Sequence, residues 1–260
     1  MSRRKIIGGR TGKPPEDSLP APYVKSFRAL LAAALDDTDA RGRRIGDAKW
    51  GVYAFYDYEG EPIYVGQTNE RLRVRIRRHL TNQRTDAQAM GVLDIFEVAE
   101  LEMWPLWEFE SRARSDGEAR ALLDACEFTV YSQAIRDSRY HAILNEKLPP
   151  KSKLVVLPTT NRRCALITDE MRFDRGHPDI RIERRAMAIS RLAQRIHERG
   201  AVSVGLRRAL VIQAIRLTHL ASVRLAEAEG RAAPGADIIP SRELAGSLFI
   251  EVPEEGEESS

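Results

Sequence analysis

The chain has 260 residues, of which 43% are hydrophobic and 30% are charged, and its formal net charge is +3. This balance is typical of a soluble globular protein and argues against a disordered chain or an integral membrane protein. No apolar run approaches the roughly 20 residues that cross a bilayer, so we expect no membrane partner. The apolar pair Ile6-Ile7 is far shorter than a signal-peptide core of about 7 residues or more. We therefore expect a cytoplasmic protein.

Cysteine usage excludes two further classes of protein. Cys126 and Cys164 are too few for a disulfide framework, and they fall short of a zinc site with four nitrogen or sulfur ligands. Cys126 lies within an apolar helical pattern, which predicts a small core residue.

The N-terminal part of the chain predicts a flexible arm followed by one helix. Residues 1–20 are rich in glycine, proline and charge, a composition that opposes folding. Residues 22–36 have the alanine- and leucine-rich periodicity of a helix. Residues 1–44 therefore form a first region, made of the arm, this helix and a polar connector.

Residues 51–68 predict a β-hairpin, because two β-rich runs are joined by a short glycine-containing loop. Gly51 and Tyr53 share one face of the first strand, and Tyr64 and Gly66 share one face of the second. A tyrosine from each strand can therefore meet across the pair, while the glycines leave room for a backbone, a ligand or a metal. The alternative is an ordinary hairpin stabilised by aromatic pairs and a turn glycine.

A basic helix is predicted over residues 70–80, capped by Thr68 or Asn69. An apolar stripe at helical spacing predicts its buried face, formed by Leu72, Ile76 and Leu80. Arg75 and His79 are four residues apart on an adjoining stripe and can face the tyrosines. The other arginines face water or phosphate in this prediction, and they are Arg71, Arg73, Arg77 and Arg78. The alternative is a basic amphipathic helix on the surface.

The next elements complete one α+β unit. Residues 92–104 partly alternate and predict a third strand. Residues 115–118 form a capping-box pattern before a helix that is apolar nearly all round and therefore buried. Residues 45–155 thus predict a small antiparallel three-stranded sheet flanked by helices.

The C-terminal region, residues 156–250, predicts an all-α structure. Amphipathic helices over 180–199 and 205–229 are separated by Gly200, a plausible C-cap. This helical pair either covers the first domain or forms a homodimer. Its arginines contact a phosphate backbone or, equally, serve packing, and they are Arg181, Arg184, Arg185, Arg191, Arg195, Arg199, Arg207, Arg208, Arg216 and Arg224.

The last ten residues, 251–260, carry only acidic charges and predict a disordered tail. A basic helix together with an acidic tail fits a polyanion-binding protein whose own tail competes for the groove. The alternative is a solvated helix face and a disordered end.

The position of Glu127 in the predicted buried helix suggests a role for its carboxylate. It shares a stripe with Leu123, Val130 and Tyr131, which predicts partial burial. A buried carboxylate needs a partner or a metal. The residues alone leave two alternatives equal, a metal ligand and a salt-bridged or snorkelling side chain.

Together these residues resemble a known family. The order Gly51-Val-Tyr53, ten residues, Tyr64-Val-Gly66 and then Leu-x-x-Arg75-Ile-x-x-His79-Leu resembles the GIY-YIG nuclease superfamily. That superfamily includes a domain of bacterial excision-repair nucleases, homing endonucleases and some restriction enzymes. Its later glutamate and asparagine match Glu127 and Asn145, so the resemblance covers roughly residues 48–150.

The chain departs from the family pattern at three points. The helix arginine lies one residue further along, which leaves Arg73 as an alternative to Arg75. Position 67 is glutamine where lysine is common, and the stretch between His79 and Glu127 is long. Residues 81–117 therefore hold a predicted insertion.

The resemblance implies a metal-dependent cleavage of DNA. Glu127 would hold Mg²⁺ or Mn²⁺, and Arg75 would offset negative charge in the transition state. Tyr53 or Tyr64 would orient or deprotonate water, with His79 as the competing base, and Asn145 would position phosphate or water. The substrate contacts in this prediction are Gly66, Gln67, Arg71, Arg73, Arg77 and Arg78.

We therefore predict a DNA endonuclease, in restriction or anti-phage defence. One alternative is a catalytically degenerate DNA-binding or regulatory protein on the same fold, and another is a DNA repair nuclease. Because both tyrosines, Arg75, Glu127 and Asn145 are present, the sequence favours the active enzyme.

Overall fold

The computed structural model describes residues 20–81, 92–158 and 162–248. The predicted arm and acidic tail, and part of the predicted insertion, lie outside these residues. The strands are β1 (Gly51–Tyr56), β2 (Pro62–Thr68), β3 (Glu100–Pro105) and β4 (Arg162–Ala165). The helices are α1 (Pro22–Asp36), α2 (Leu72–Leu80), α3 (Gly117–Asp137), α4 (Asp169–Arg175), α5 (Pro178–Arg199), α6 (Val204–Ala228) and α7 (Ser241–Ala245).

The sheet has four antiparallel strands in the order β2-β1-β3-β4. The α+β class and the β1–β2 hairpin are confirmed, but the prediction of three strands is wrong. Strand β4 has only four residues, and two of them are arginines. Its sequence therefore lacks the apolar alternation that predicts a strand. It forms by pairing with β3 over a long sequence separation, and it lies in the region that we predicted to be all-α.

The core lies around β1, whose side chains are buried on both faces over most of its length. Helix α2 contributes the predicted stripe of Leu72, Ile76 and Leu80, all of them buried. Helix α3 packs mainly on β2 and also contacts β1. The apolar stripe of α2 thereby fixes which of its other side chains can face the tyrosines.

The predicted element ends differ from the observed ones where capping decides them. Helix α2 begins after Arg71 without a side-chain cap, because Thr68 instead accepts a hydrogen bond from the Glu70 N–H at 3.0 Å. Helix α3 is capped by Asp116, which accepts from the Ala119 N–H at 3.0 Å, rather than by Ser115. The third strand is shorter than predicted, since a 3₁₀ turn occupies residues 95–97.

The predicted C-terminal helical pair is confirmed as α5 and α6, which pack against each other. Gly200 ends α5 with a φ of 64°, as a C-cap glycine does. The pair covers the sheet domain, where Gln213 on α6 donates to the Val92 carbonyl at 2.9 Å. The homodimer stays a prediction.

Helix α6 is the one helix among the described residues that is long and apolar enough to cross a membrane. This corrects the expectation that no segment approaches that length. Buried core helices pass the same test, and α6 carries the buried polar residues Gln213, Arg216 and His219. The composition of α6 is therefore weak evidence for a membrane span.

A buried ion cluster joins α5 and α6 to the turn after β1. The Asp57 carboxylate contacts Arg181 at 2.9 Å, Arg185 at 3.1 Å and Arg216 at 2.7 Å. Glu97 contacts Arg181 and Arg185 at 3.3 and 3.2 Å. We call these five residues the Asp57 cluster. Three of the C-terminal arginines therefore serve packing rather than phosphate binding.

Candidate active site

A cavity of about 390 Å³ lies where β2, α2, α3 and the loop after α3 meet. Its lining residues extend from Tyr64 to Pro150 in the chain. Five of the six predicted catalytic residues line it, and they are Tyr64, Arg75, His79, Glu127 and Asn145. Gly66 and Gln67 also line it, as predicted.

Tyr53 lies behind the cavity rather than in its lining. Its side chain is fully buried, with its ring 6.3 Å from Tyr64 and 5.9 Å from His79. The predicted meeting of the two tyrosines across the strands is therefore present. Burial raises the pKa of Tyr53 well above the usual value, and Tyr64 adds to this while Arg75 opposes it. A fully buried phenol with a raised pKa is poorly suited to be a base.

The motif glycines make room for side chains of the protein itself. Gly66 lies opposite Tyr53 across the strands, and a Cβ there would lie 2.5 Å from the Tyr53 hydroxyl. A Cβ at Gly51 would lie 2.9 Å from the Trp104 carbonyl oxygen and 3.0 Å from Leu72. Of the three groups that we expected near these glycines, a backbone is present at Gly51, where the Trp104 carbonyl approaches, and the remaining space is taken by Leu72 and by the Tyr53 ring.

Helix α2 presents Arg75 and His79 to the cavity, as its spacing predicts. The His79 ring lies 5.5 Å from Tyr64, close enough for the two rings to hold each other's orientation. Arg75 opposes the raised pKa values of both Tyr53 and Glu127, because its positive charge lies near both side chains.

The other arginines of α2 do not line the cavity. Arg73 pairs with Asp36 at 2.9 Å and Asp47 at 2.7 Å, so it anchors α2 to the N-terminal region. Arg78 pairs with Glu70 at 2.6 Å. The structure therefore favours Arg75 over Arg73 as the active-site arginine. Arg73 and Arg78, predicted as substrate contacts, serve structural ion pairs, while Arg71 and Arg77 are exposed outside the cavity.

Glu127 enters the cavity from α3 and is partly buried, as its stripe predicts. Burial raises its pKa to about 7, and the nearby Asp124 carboxylate raises it further, while Gln67 and Arg75 oppose the shift. Such a carboxylate is costly to keep charged without a cation. Glu127 therefore fits a metal ligand. The described residues hold no group of three or more histidine, cysteine or acidic side chains that could bind a metal.

Asn145 is buried, and its amide is bound to the backbone of β2. Its Oδ1 accepts from the Val65 N–H at 3.0 Å, and its Nδ2 donates to the Val65 carbonyl at 2.8 Å. It therefore substitutes for a neighbouring strand and fixes β2 between Tyr64 and Gly66. This contact is structural, whereas we expected it to position phosphate or water.

Several site residues were not predicted from the sequence. Asp124 accepts from the Gln67 amide at 2.7 Å and lies one turn before Glu127, so helical spacing could have pointed to it. Glu146 and Lys147 also line the cavity. A Cβ at Gly205 would lie only 1.8 Å from the Glu146 carbonyl oxygen, so α6 packs tightly on this loop. No sequence pattern indicated that contact.

The model of the GIY-YIG catalytic domain matches residues 49–111. The chain carries a GIY-YIG catalytic domain. This match supports the resemblance to the GIY-YIG nuclease superfamily over residues 49–111, and the four-stranded α+β structure is consistent with that fold. No curated protein and no solved structure matches the chain. The matched residues include β1, β2, α2 and β3, while Glu127 and Asn145 of the GIY-YIG pattern follow later.

Proposed function

We propose that the protein is a divalent-metal-dependent endonuclease that hydrolyses DNA phosphodiester bonds. A GIY-YIG domain is a nuclease domain, which implies DNA as the substrate. The observation that carries the proposal is one cavity that gathers Tyr64, Arg75, His79 and Glu127 from three elements.

Mg²⁺ or Mn²⁺ is the metal that we propose for this cavity, with Glu127 as its protein ligand. A single carboxylate is compatible with Mg²⁺, which retains several waters and binds through one or two carboxylates. When bound, the cation supplies Lewis-acid polarisation of the phosphate.

Arg75 is the proposed electrostatic group. Negative charge increases on the phosphate oxygens as water attacks the phosphorus atom and the bond to the leaving oxygen breaks. A guanidinium held in place by a packed helix opposes that charge without having to reorganise. Because Ile76 and Leu80 bury the adjoining stripe of α2, Arg75 is held on the cavity side.

Tyr64 and His79 are the two candidates to orient and deprotonate the attacking water. Both line the cavity and they touch each other, so one can accept the water proton while the other orients it. Tyr53 supports them from behind as a positioning residue. Asn145 is a second positioning residue, because its two hydrogen bonds to the Val65 backbone hold β2 in place.

The test is nicking of supercoiled plasmid DNA with and without Mg²⁺. We expect Glu127→Ala and Arg75→Ala to lower the rate by about 100-fold or more. Glu118→Ala, on the exposed first turn of α3, and Arg136→Ala, exposed near the C-terminal end of α3, serve as matched controls and should keep wild-type activity. Absence of cleavage of single-stranded, double-stranded and branched DNA in both metals would instead indicate the degenerate DNA-binding alternative.

We also propose that the biological role is restriction or anti-phage defence, in a cytoplasmic protein. The role is argued by analogy with the restriction enzymes of the GIY-YIG nuclease superfamily, in a chain whose C-terminal helices pack on the nuclease domain. Cells expressing the wild type should form fewer phage plaques than cells expressing Glu127→Ala. Equal plaque counts would contradict this role and leave the nuclease activity unaffected.

A further inference from the structure

A second polar cavity adjoins the active-site cavity. It has a volume of about 340 Å³. We call it the Arg120 cavity, and its lining residues are Gln67, Thr68, Asn69, Arg120, Leu123 and Asp124. Gln67 lines both cavities, so one side chain separates them.

The two cavities lie along the same stripe of α3. Arg120, Asp124 and Glu127 occupy positions i, i+4 and i+7, which share one face of a helix. Arg120 and Glu127 are therefore about 10 Å apart along the helix axis. That separation corresponds to about three base steps of one DNA strand.

The Gln67 side chain, which separates the two cavities, is held in place by a hydrogen bond. The Gln67 amide donates to Asp124 Oδ1 at 2.7 Å, and Gln67 also holds the pKa of Glu127 down. The Asp124 charge is engaged by this amide, which reduces its repulsion of an anion beside Arg120.

Arg120 is exposed, and the described residues offer it no ion pair. Its neighbour Arg112 differs, because it pairs with Asp116 at 3.1 Å and with Glu118 at 3.3 Å. The Arg120 guanidinium can therefore bind an external anion. Asn69 lines the same cavity, and its Nδ2 donates one hydrogen to the Arg114 carbonyl at 3.5 Å, which leaves the second hydrogen for a ligand. A planar guanidinium together with an amide donor suits a phosphate group.

We propose that the Arg120 cavity binds a backbone phosphate of the cleaved DNA strand, about three nucleotides from the scissile bond. Arg120 supplies the charge, and Asn69 supplies a hydrogen bond. The inference rests on the proposed function. The proposal places the path of the substrate strand along α3, from Glu127 towards the N-terminal end of that helix.

The first test is binding of a short DNA duplex in EDTA, which prevents cleavage. Arg120→Ala should weaken binding about 3- to 10-fold and should reduce the slope of log K against log salt by about one. Arg136→Ala is the matched control, because Arg136 is exposed at the other end of α3 and should bind like the wild type.

The second test removes the phosphate charge instead of the protein charge. Neutral methylphosphonates are placed one at a time along the cleaved strand. At one position, about three nucleotides from the cut, the substitution should weaken binding of the wild type but not of Arg120→Ala. Such coupling at one position distinguishes a specific phosphate contact from general attraction.

The results distinguish a failure of the proposed Arg120 cavity from a failure of the proposed nuclease function. Cleavage by the wild type, with equal binding and equal salt slopes for Arg120→Ala and Arg136→Ala, overturns the Arg120 cavity alone. Coupling at no methylphosphonate position also overturns it. A wild type that neither binds nor cuts DNA overturns both the function and the cavity.

Discussion

At the scale of single residues, Gly66 shows that a motif glycine can be required by packing rather than by the substrate. Its missing Cβ is replaced by the Tyr53 hydroxyl and ring, and Tyr53 has no space to retreat because it is fully buried. The geometry that requires this glycine is therefore the packing between two neighbouring strands. The sequence could place Tyr53 and Gly66 on facing strands, but it could not show that they fill the same volume.

Gly66→Ala should lower both stability and activity. The new Cβ would lie 2.5 Å from the Tyr53 hydroxyl and 3.0 Å from Tyr64, so β2 or the rings must shift. We expect a loss of about 1–3 kcal/mol in the free energy of unfolding, measured in urea. Gly117→Ala is the matched control, because nothing lies within 4 Å of its Cβ and it begins a helix. A Gly66→Ala protein as stable as the wild type would contradict this packing.

The raised pKa of Glu127 predicts a pH dependence that needs no activity assay. Its usual value is 4.5 and its folded value is about 7, so the folded protein holds a proton that the unfolded chain has released. The contribution of Glu127 to stability is then greatest below pH 4.5 and falls as the pH rises towards 7. In EDTA at about pH 8, Glu127→Gln should therefore be more stable than the wild type, by about 1–3 kcal/mol.

The same titration predicts how Mg²⁺ stabilises the wild type. A metal must displace the proton from Glu127, so stabilisation by Mg²⁺ should be present at about pH 8 and much weaker at about pH 6. Glu127→Gln should show neither effect, while Glu118→Gln should behave like the wild type. Equal Mg²⁺ stabilisation of all three proteins would remove Glu127 from the proposed metal site.

At the scale of elements, the hairpin and α2 were predictable because their apolar periodicity is local. The same spacing that buries Leu72, Ile76 and Leu80 directs Arg75 and His79 to the cavity. Strand β4 was not predictable, since its four residues acquire their conformation only by pairing with β3. The start of α3 was misjudged by one residue because Ser115 and Asp116 are both good caps, and tertiary contacts decide between them.

The hairpin also depends on elements that follow it by more than 100 residues. Asp57 is buried in the turn after β1 and contacts three arginines of α5 and α6. Burial raises the pKa of Asp57, but Arg216, Arg181 and Arg185 outweigh it and keep the pKa below its usual range. The carboxylate is therefore charged in the folded protein, and its loss would leave three buried cations short of a partner.

Asp57→Asn should be strongly destabilising. Removing one partner from a buried ion group costs about 3–5 kcal/mol, because the remaining charges stay buried. Asp179→Asn is the matched control, since its pair with Arg224 at 2.9 Å is exposed and should contribute little to stability. Urea unfolding at neutral pH measures both. Similar losses for the two variants would mean that the Asp57 cluster does not hold the hairpin to the C-terminal helices.

At the scale of the whole molecule, the predicted boundary at residue 155 passes through a shared structure. Strand β4 extends the sheet, the Asp57 cluster crosses from the hairpin to α5 and α6, and Gly205 packs on the Glu146 carbonyl beside the active site. The sequence suggested a boundary because prolines at 149, 150 and 158 separate an α+β pattern from a helical one. Composition reports local preference, whereas these contacts arise from burial between distant segments.

Truncation tests whether the nuclease domain can stand alone. A fragment of residues 45–155 keeps every predicted catalytic residue but loses α1 and every element from β4 onwards. Asp57 and Glu97 are then left without the arginines that neutralise them. We expect it to lack a cooperative thermal transition and to be inactive on plasmid DNA. A fragment of residues 20–248 keeps all of these contacts and should unfold in a single transition near that of the full chain. If the 45–155 fragment folds cooperatively and nicks DNA in Mg²⁺, the C-terminal helices are an appendage, and the residues of the Asp57 cluster serve an interface rather than one core.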